Sequence, residues 1–256
     1  MKVLSGLVLC LASLASAAYG QNAEPKPVNV HNFVRAETDL YFRKAAVDDG
    51  AFGKLRHRRE MASIDKQDVV RMNRDTLYSS GVFDLGAGPL TMTLPDAGKR
   101  FMSMQVISQD HYTTEVVYGP GSFTYTPENV GTRYVYIIIR TLANPEDPDD
   151  VKMANKVQDA IRVDQASAGT FEVSNWDEAS QTTARAALER LGSLGGTVDR
   201  FGRKEEVDPI DHLVFDLSIR LPTSSSTSTV NFSHRRDIFL TIWAPLIIVK
   251  GLLFNP

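Results

Sequence analysis

The stretch that decides the fold is LTMTL at residues 90–94, in which apolar and polar side chains alternate between Pro89 and Pro95. A period of two predicts a β-strand with one buried face and one face in water. Further runs of β-branched and aromatic residues surround it at spacings of about ten residues, as in an antiparallel sandwich or barrel. The run 134–139 is apolar on both faces and predicts the central strand. The complete series is 76–85, 90–94, 101–107, 113–118, 123–125 and 133–140.

Helical periodicity flanks this series. Residues 32–46 carry apolar side chains at roughly helical spacing, and a second apolar stripe starts at Val151, after an acidic loop in which Asp149 or Asp150 is expected to cap the helix. A third helix is predicted from Glu178 to Leu191. The sequence therefore predicts an α+β fold with a mainly antiparallel β-sandwich or barrel-like core and flanking helices.

The N-terminus has the order of a secretory signal. Lys2 is followed by an apolar run at residues 3–14 and by the small residues ASA at 15–17 or AYG at 18–20. The apolar run is shorter than the roughly 20 residues that span a bilayer, so we expect cleavage rather than a permanent anchor. Residues 1–20 are predicted to be a signal peptide and residues 21–30 a flexible leader. We expect a bacterial periplasmic or secreted protein whose mature chain has no transmembrane span.

The composition excludes several classes of function. Cys10 lies inside the signal, so the expected mature chain is cysteine-free and has neither a disulfide, nor a thiolate zinc site, nor a cysteine nucleophile. Loss of Lys2 from a chain with 28 basic and 31 acidic residues leaves a formal charge of −4, and we expect no nucleic-acid partner. The basic run at 56–59 is predicted to be a solvated loop.

Several common catalytic and cofactor motifs are missing from the sequence. It contains neither the Gly-x-Ser-x-Gly of serine hydrolases nor a glycine-rich phosphate loop, and its five histidines occur singly. We therefore expect no metal and no cofactor.

A first polar cluster leads into the first strand. It comprises Arg71, Asn73, Arg74, Asp75 and Tyr78. Such residues can bind an anion or orient a substrate carbonyl, and they form the predicted ligand-binding site. Alternatively, they shape a turn and pair with one another at the entry of the strand.

A second polar cluster, SQDHY at 108–112, lies between two predicted strands. Asp110 and His111 are predicted to be catalytic, because a carboxylate beside an imidazole can make an acid/base pair. Alternatively, His111 is a hydrogen-bonded loop residue, since neighbours on an extended chain point to opposite sides.

Several longer segments resemble a bacterial family known as domain of unknown function 1254 (DUF1254). The resemblance implies a β-sandwich in an exported or envelope protein of unsettled activity, and it places a DUF1254-like domain at residues 31–213. Members of this family usually continue into a second domain (DUF1214), which is missing here. Residues 214–256 are therefore expected to be an atypical tail, truncated or frameshifted. The segments are VRMNRDTLYS (70–79), TLPDAGKRFMSMQ (93–105), DHY (110–112), GTRYV (131–135), FEVSNW (171–176) and EVDP (206–209).

Two classes of function remain open. The preferred interpretation is an exported protein that binds a small or carbohydrate-like ligand, or that acts in an envelope assembly as a homo-oligomer. The alternative is a hydrolase in which His111 is the general base, oriented by Asp110 or Asp75. Replacement of His111 by alanine would weaken ligand affinity in the first case and abolish turnover in the second.

Overall fold

A computed structural model of the chain describes residues 24–61, 73–192, 194 and 202–215. The predicted signal peptide, Arg71 and residues 216–256 of the predicted tail lie outside these ranges. Of the helices in the described ranges, none has both the length and the apolar character needed to cross a membrane.

The strands are β1 (Arg56–His57), β2 (Thr76–Asp84), β3 (Leu90–Leu94), β4 (Met102–Ser108), β5 (Thr113–Tyr118), β6 (Gly121–Tyr125), β7 (Tyr134–Leu142) and β8 (Arg162–Asp164). The helices are α1 (Phe33–Arg43), α2 (Pro127–Val130), α3 (Pro148–Asp159), α4 (Glu178–Gly192) and α5 (Pro209–Phe215), and a π-helical turn, Lys44–Asp48, extends α1.

The described strands form two antiparallel sheets. The five-stranded sheet has the order β1-β2-β7-β4-β5, and the three-stranded sheet has the order β6-β3-β8. The apolar strand β7 lies at the centre of the larger sheet, between β2 and β4. These observations confirm the predicted α+β fold with an antiparallel sandwich core. The described strands lie in these two separate sheets and do not close into a barrel.

The main hydrophobic core lies between the two sheets. Phe83, Met104 and Ile137 of the larger sheet pack in one cluster with Leu90 and Met92 of the smaller sheet, and all five side chains are fully buried. The alternation in LTMTL therefore points its apolar side chains at the other sheet, as its period predicts.

The opposite face of the larger sheet is covered at one end by the extended helix α1. Phe42, Ala45 and Ala46 pack there on Val82 and Tyr134. At its other end, this face carries polar side chains.

Two local predictions are wrong. Helix α3 is capped by Asp147, whose carboxylate accepts hydrogen bonds from the amides of Asp149 and Asp150, because Pro148 starts the helix earlier than the apolar stripe indicates. The basic run at 56–59 is not wholly a solvated loop, since Arg56–His57 pairs with Ser79 and Ser80 as an edge strand.

Candidate functional site

The two predicted polar clusters lie at opposite ends of the five-stranded sheet. Tyr78 opposes Arg140 near one end, whereas the loop with Asp110 and His111 follows Ser108, which opposes Val135 near the other. Along β2, the position level with Val135 lies five residues from Tyr78, which corresponds to a distance of about 17 Å. The structure therefore does not bring the predicted ligand-binding and catalytic residues into one site, and Asp75 is not the carboxylate beside His111.

A row of polar side chains crosses four strands at the Tyr78 end. Tyr78 on β2 and Ser103 on β4 both oppose Arg140 on β7, and Tyr118 on β5 opposes Ser103. Directly opposed residues share a face of a sheet. These four residues, which we call the arginine row, combine a guanidinium with three hydroxyl groups on the face opposite the main core.

Arg140 is the unusual member of the row. It is only 8% exposed, and its buried Nε has no hydrogen-bond partner among the residues that the structure describes. Burial lowers the pKa of Arg140, and the nearby Tyr78, Tyr118 and Asp75 act in the opposite direction without outweighing it. A buried cation of this kind costs folding free energy unless an anion compensates it.

A buried acceptor accompanies this cation. Gln105 lies two residues beyond Ser103 on β4, is 1% exposed, and its Oε1 has no hydrogen-bond partner in the described ranges. Its amide nitrogen donates to Thr113 Oγ1 at 3.0 Å. The face therefore presents one buried donor, Arg140 Nε, and one buried acceptor, Gln105 Oε1, that have no partner among the described residues.

The remaining members of the first predicted cluster shape the entry of β2. The amide of Asn73 donates to the Tyr78 hydroxyl at 3.2 Å, and the carbonyl of Asp75 accepts from the amide of Ala143 at 2.8 Å. Arg74 and Asp75 are exposed. In this cluster, only Tyr78 belongs to the arginine row.

The second predicted cluster forms a tight buried turn. The amide of His111 donates to the Ser108 carbonyl at 3.0 Å, and His111 adopts φ +63° although it is not a glycine. His111 is 2% exposed, and its Nδ1 lies 3.3 Å from Thr38 Oγ1 on α1. The Asp110 carboxylate accepts hydrogen bonds from the Arg35 guanidinium, also on α1. Both predicted catalytic side chains thus contact α1.

Neighbouring carboxylates extend these contacts into a brace around α1. Asp39 is 3% exposed and accepts hydrogen bonds from Gln109 Nε2 and Trp176 Nε1, both at 2.9 Å. Burial raises the pKa of Asp39, and the two hydrogen bonds only partly offset this effect. Glu37, two residues before Asp39 on α1, accepts hydrogen bonds from Gln181 and Arg185 on α4.

A cavity of about 310 Å³ opens at the edge of the sandwich, beside β1 and β8. His57 lines it, and its Nδ1 lies 2.7 Å from Ser79 Oγ. Burial lowers the pKa of His57, Arg59 adds to the effect, and Asp159 opposes it. The residues that line the cavity are Gly53, Lys54, Leu55, His57, Ile161, Val163, Gln165 and Ala168.

Sequence reasoning missed the candidate residues Lys54, His57 and Arg140. A signal for Arg140 was present, because this arginine directly continues the apolar run of the central strand. His57 gave no signal, since its contact with Ser79 depends on strand pairing across 22 positions.

Comparison with known proteins gives a family and a fold. Residues 52–165 match the family model described as protein of unknown function (DUF1254), a narrower range than the predicted 31–213. No curated protein matches the chain. The crystal structure of the VPA0106 protein from Vibrio parahaemolyticus is similar, with a TM-score of 0.52 and 12% sequence identity. The match covers 74% of this chain and 64% of that chain, which is less than two thirds of it, and at this identity it shows the fold alone. Residues 52–165, a little under half of the chain, therefore match the DUF1254 family.

Proposed function

We propose that this chain is an exported bacterial protein that binds a small, acidic, hydroxyl-bearing ligand at the arginine row. The observation that carries the proposal is the buried guanidinium of Arg140, whose Nε has no hydrogen-bond partner among the described residues. An unpaired buried cation is costly in a folded protein. A bound anion would remove that cost, which is a physical reason for a ligand with negative charge.

The neighbours of Arg140 favour a ligand that also carries hydroxyl groups. Tyr78, Ser103 and Tyr118 supply hydroxyls on the same face, and Gln105 Oε1 is a buried acceptor without a described partner. Tyrosine rings also offer apolar faces of the kind on which sugars stack. An acidic sugar such as a uronate carries both groups, since its carboxylate can pair with Arg140 and its hydroxyls can donate to Gln105.

The hydrolase alternative has weaker support. His111 is buried in a turn that contacts Thr38, and Asp110 is bonded to Arg35. A general base must come within about 2.6–3.2 Å of the proton that it abstracts, directly or through water. Contacts that fix the turn to α1 are better explained by a structural role for both side chains.

Replacement of Arg140 by methionine tests the proposal. In the absence of ligand, we expect Arg140→Met to melt at a higher temperature than the wild type, because a buried guanidinium whose Nε has no partner among the described residues is replaced by an apolar side chain. Glucuronate at about one hundred times its Kd should raise the melting temperature of the wild type by roughly 5–10 °C. The variant should show no such shift. Thermal-shift measurements with glucuronate, and with glucose as the uncharged analogue, provide the readout.

The exposed Arg203 offers a matched control, since Arg203→Met removes the same charge from the surface. This variant should keep the wild-type response to glucuronate. A lower melting temperature of Arg140→Met without ligand would show that Arg140 stabilises the fold. An equal response of the wild type to glucose and glucuronate would contradict an anion site.

Export is tested by the mass of the protein recovered from a bacterial host. Because residues 15–20 supply small residues after the apolar run, we expect the mature chain to start at Ala18 or Gln21 and to be found outside the cytoplasm. Replacement of Ala15, Ala17, Ala18 and Gly20 by leucine should block cleavage. Recovery of an unprocessed wild-type chain that starts at Met1 and stays in the cytoplasm would contradict export.

A further inference from the structure

We propose that the cavity beside His57 is a second binding site, for a small carboxylate with an apolar body. It lies between the sheets, whereas the arginine row lies on the opposite face of the larger sheet. The inference therefore goes beyond the proposed function and can fail or hold independently of it.

The cavity exists because β1 and β8, the edge strands that border it, are short. β1 has two residues and β8 has three, and among the described strands β1 pairs only with β2 and β8 only with β3. Where these strands end, the two sheets leave a gap of about 310 Å³, which is at the lower end of the range for small-molecule sites. Leu55, Ile161 and Val163 give it apolar walls that contact the main core.

Buried neighbours determine how His57 presents its ring to the cavity. Ser79 is fully buried, and its Oγ lies 2.7 Å from His57 Nδ1 and 3.1 Å from Gln158 Nε2. The amide nitrogen of Gln158 can only donate, so the hydroxyl of Ser79 has its own proton available for His57 Nδ1. Nδ1 is then the acceptor, and the proton of the neutral ring lies on Nε2, on the side away from Ser79.

This tautomer makes His57 a hydrogen-bond donor toward the cavity near neutral pH. Burial and the Arg59 guanidinium lower the pKa of His57, and Asp159 on α3 opposes them, so the ring is neutral under these conditions. Lys54 adds a positive charge to the lining. Ser79 is an unsuitable nucleophile despite its contact with a histidine, because it is fully buried.

The lining therefore selects a ligand with two parts. A carboxylate can accept hydrogen bonds from His57 Nε2 and Lys54 Nζ, and charge-assisted bonds of this kind are about twice as strong as neutral ones. A short alkyl or aromatic body can pack on Leu55, Ile161 and Val163. The volume fits a short-chain acid better than a nucleotide or an oligosaccharide.

The test is an NMR titration of the mature chain with hexanoate, with 1-hexanol as the neutral analogue. Hexanoate should shift the amide signals of Gly53, Leu55 and Val163, and it should bind at least about tenfold more tightly than hexanol. Lys54→Met and His57→Phe should each weaken binding about tenfold, while Lys156→Met, which removes an exposed lysine on α3, should not change it. Val163→Phe, which fills the cavity, should abolish binding.

Three outcomes would overturn the proposal. They are equal binding of hexanol and hexanoate, shifted signals outside the lining, and full retention of affinity in Lys54→Met. The nitrogen-15 chemical shifts of His57 should place the ring proton on Nε2 in the wild type. In Ser79→Ala they should show a mixture of the two tautomers. A proton on Nδ1 in the wild type would refute the positioning role of Ser79. Arg140→Met should still bind hexanoate but should no longer bind glucuronate. This result would show that the cavity and the arginine row are separate sites.

Discussion

Replacement of Asp84 by alanine is expected to lower the free energy of unfolding by about 3 kcal/mol. The Asp84 side chain is 2% exposed and accepts hydrogen bonds from Arg133 Nε at 3.0 Å and from the amides of Gly86 and Thr170 at 2.9 and 3.3 Å. The variant leaves these donors without their acceptor. Because Arg133 is 44% exposed and can be hydrated, the loss lies at the lower end of the range for a broken buried ion pair. Urea denaturation at neutral pH measures it.

The decrease in unfolding free energy caused by Asp84→Ala should depend on pH in one direction. Burial acts to raise the pKa of Asp84, but the hydrogen bonds from Arg133, Thr170 and Gly86 outweigh it, and the net shift is downward. The stabilisation is therefore present above the ordinary pKa of 3.8 and is lost as the pH falls through the lower, folded-state value. Asp159→Ala, which breaks the exposed pair with Arg59, is the control and should cost at most about 1 kcal/mol. Equal losses in the two variants would contradict the buried role of Asp84.

The second large effect is expected at Asp39. Asp39→Ala removes the shared acceptor of Gln109 and Trp176, and a buried donor left unsatisfied costs about 1–3 kcal/mol. Because Trp176 is only half-buried and its N–H can be hydrated, we expect a total loss of about 2–4 kcal/mol. The indole N–H signal of Trp176 should move toward its solvent-exposed position in the NMR spectrum. Denaturation curves and this signal together separate loss of the brace from general unfolding.

Asp39 and Asp84 should respond to pH in opposite directions. Burial raises the pKa of Asp39, so its ionisation in the folded state costs stability as the pH rises above 3.8 through the folded-state value. The loss caused by Asp39→Ala should therefore shrink on going from acid to neutral pH. Asp110→Ala, whose partner Arg35 is 37% exposed, is the control and should change stability by about 1 kcal/mol or less. A loss for Asp39→Ala that grows with pH would contradict the raised pKa.

Local patterns predicted the longer strands, because the alternation of side chains along a strand is visible in residues that are adjacent in the sequence. LTMTL at 90–94 and the strand at 113–118 have their predicted bounds, and β7 extends the predicted 133–140 by two residues at its end. The short elements β1 and β8 were missed, because two or three residues carry no measurable period. Each is a strand only through its partner, Ser79–Ser80 for β1 and 91–93 for β8.

The candidate sites were less accessible to sequence reasoning. Adjacency suggested that Asp110 and His111 act on one another, but the turn directs Asp110 to Arg35 and places His111 beside Thr38. The position of Arg140 after an apolar run was visible in the sequence, but only the structure shows that it is buried and that its Nε lacks a described partner. Whether a charged group is buried and paired is a property of the whole fold, and no local pattern encodes it.

The brace around α1 also determines the order in which the chain can fold. Asp39 bonds to residues 70 and 137 positions further along the chain, and Glu37 bonds to a residue 144 positions away. Closing loops of this length costs entropy that is recovered only when the distant partners are in place. These polar contacts of α1 can therefore form only after Gln109, Trp176 and Gln181 are in place. We therefore expect the first described helix in the sequence to complete its contacts late, since a chain still emerging from a ribosome cannot complete the brace before Arg185 is free.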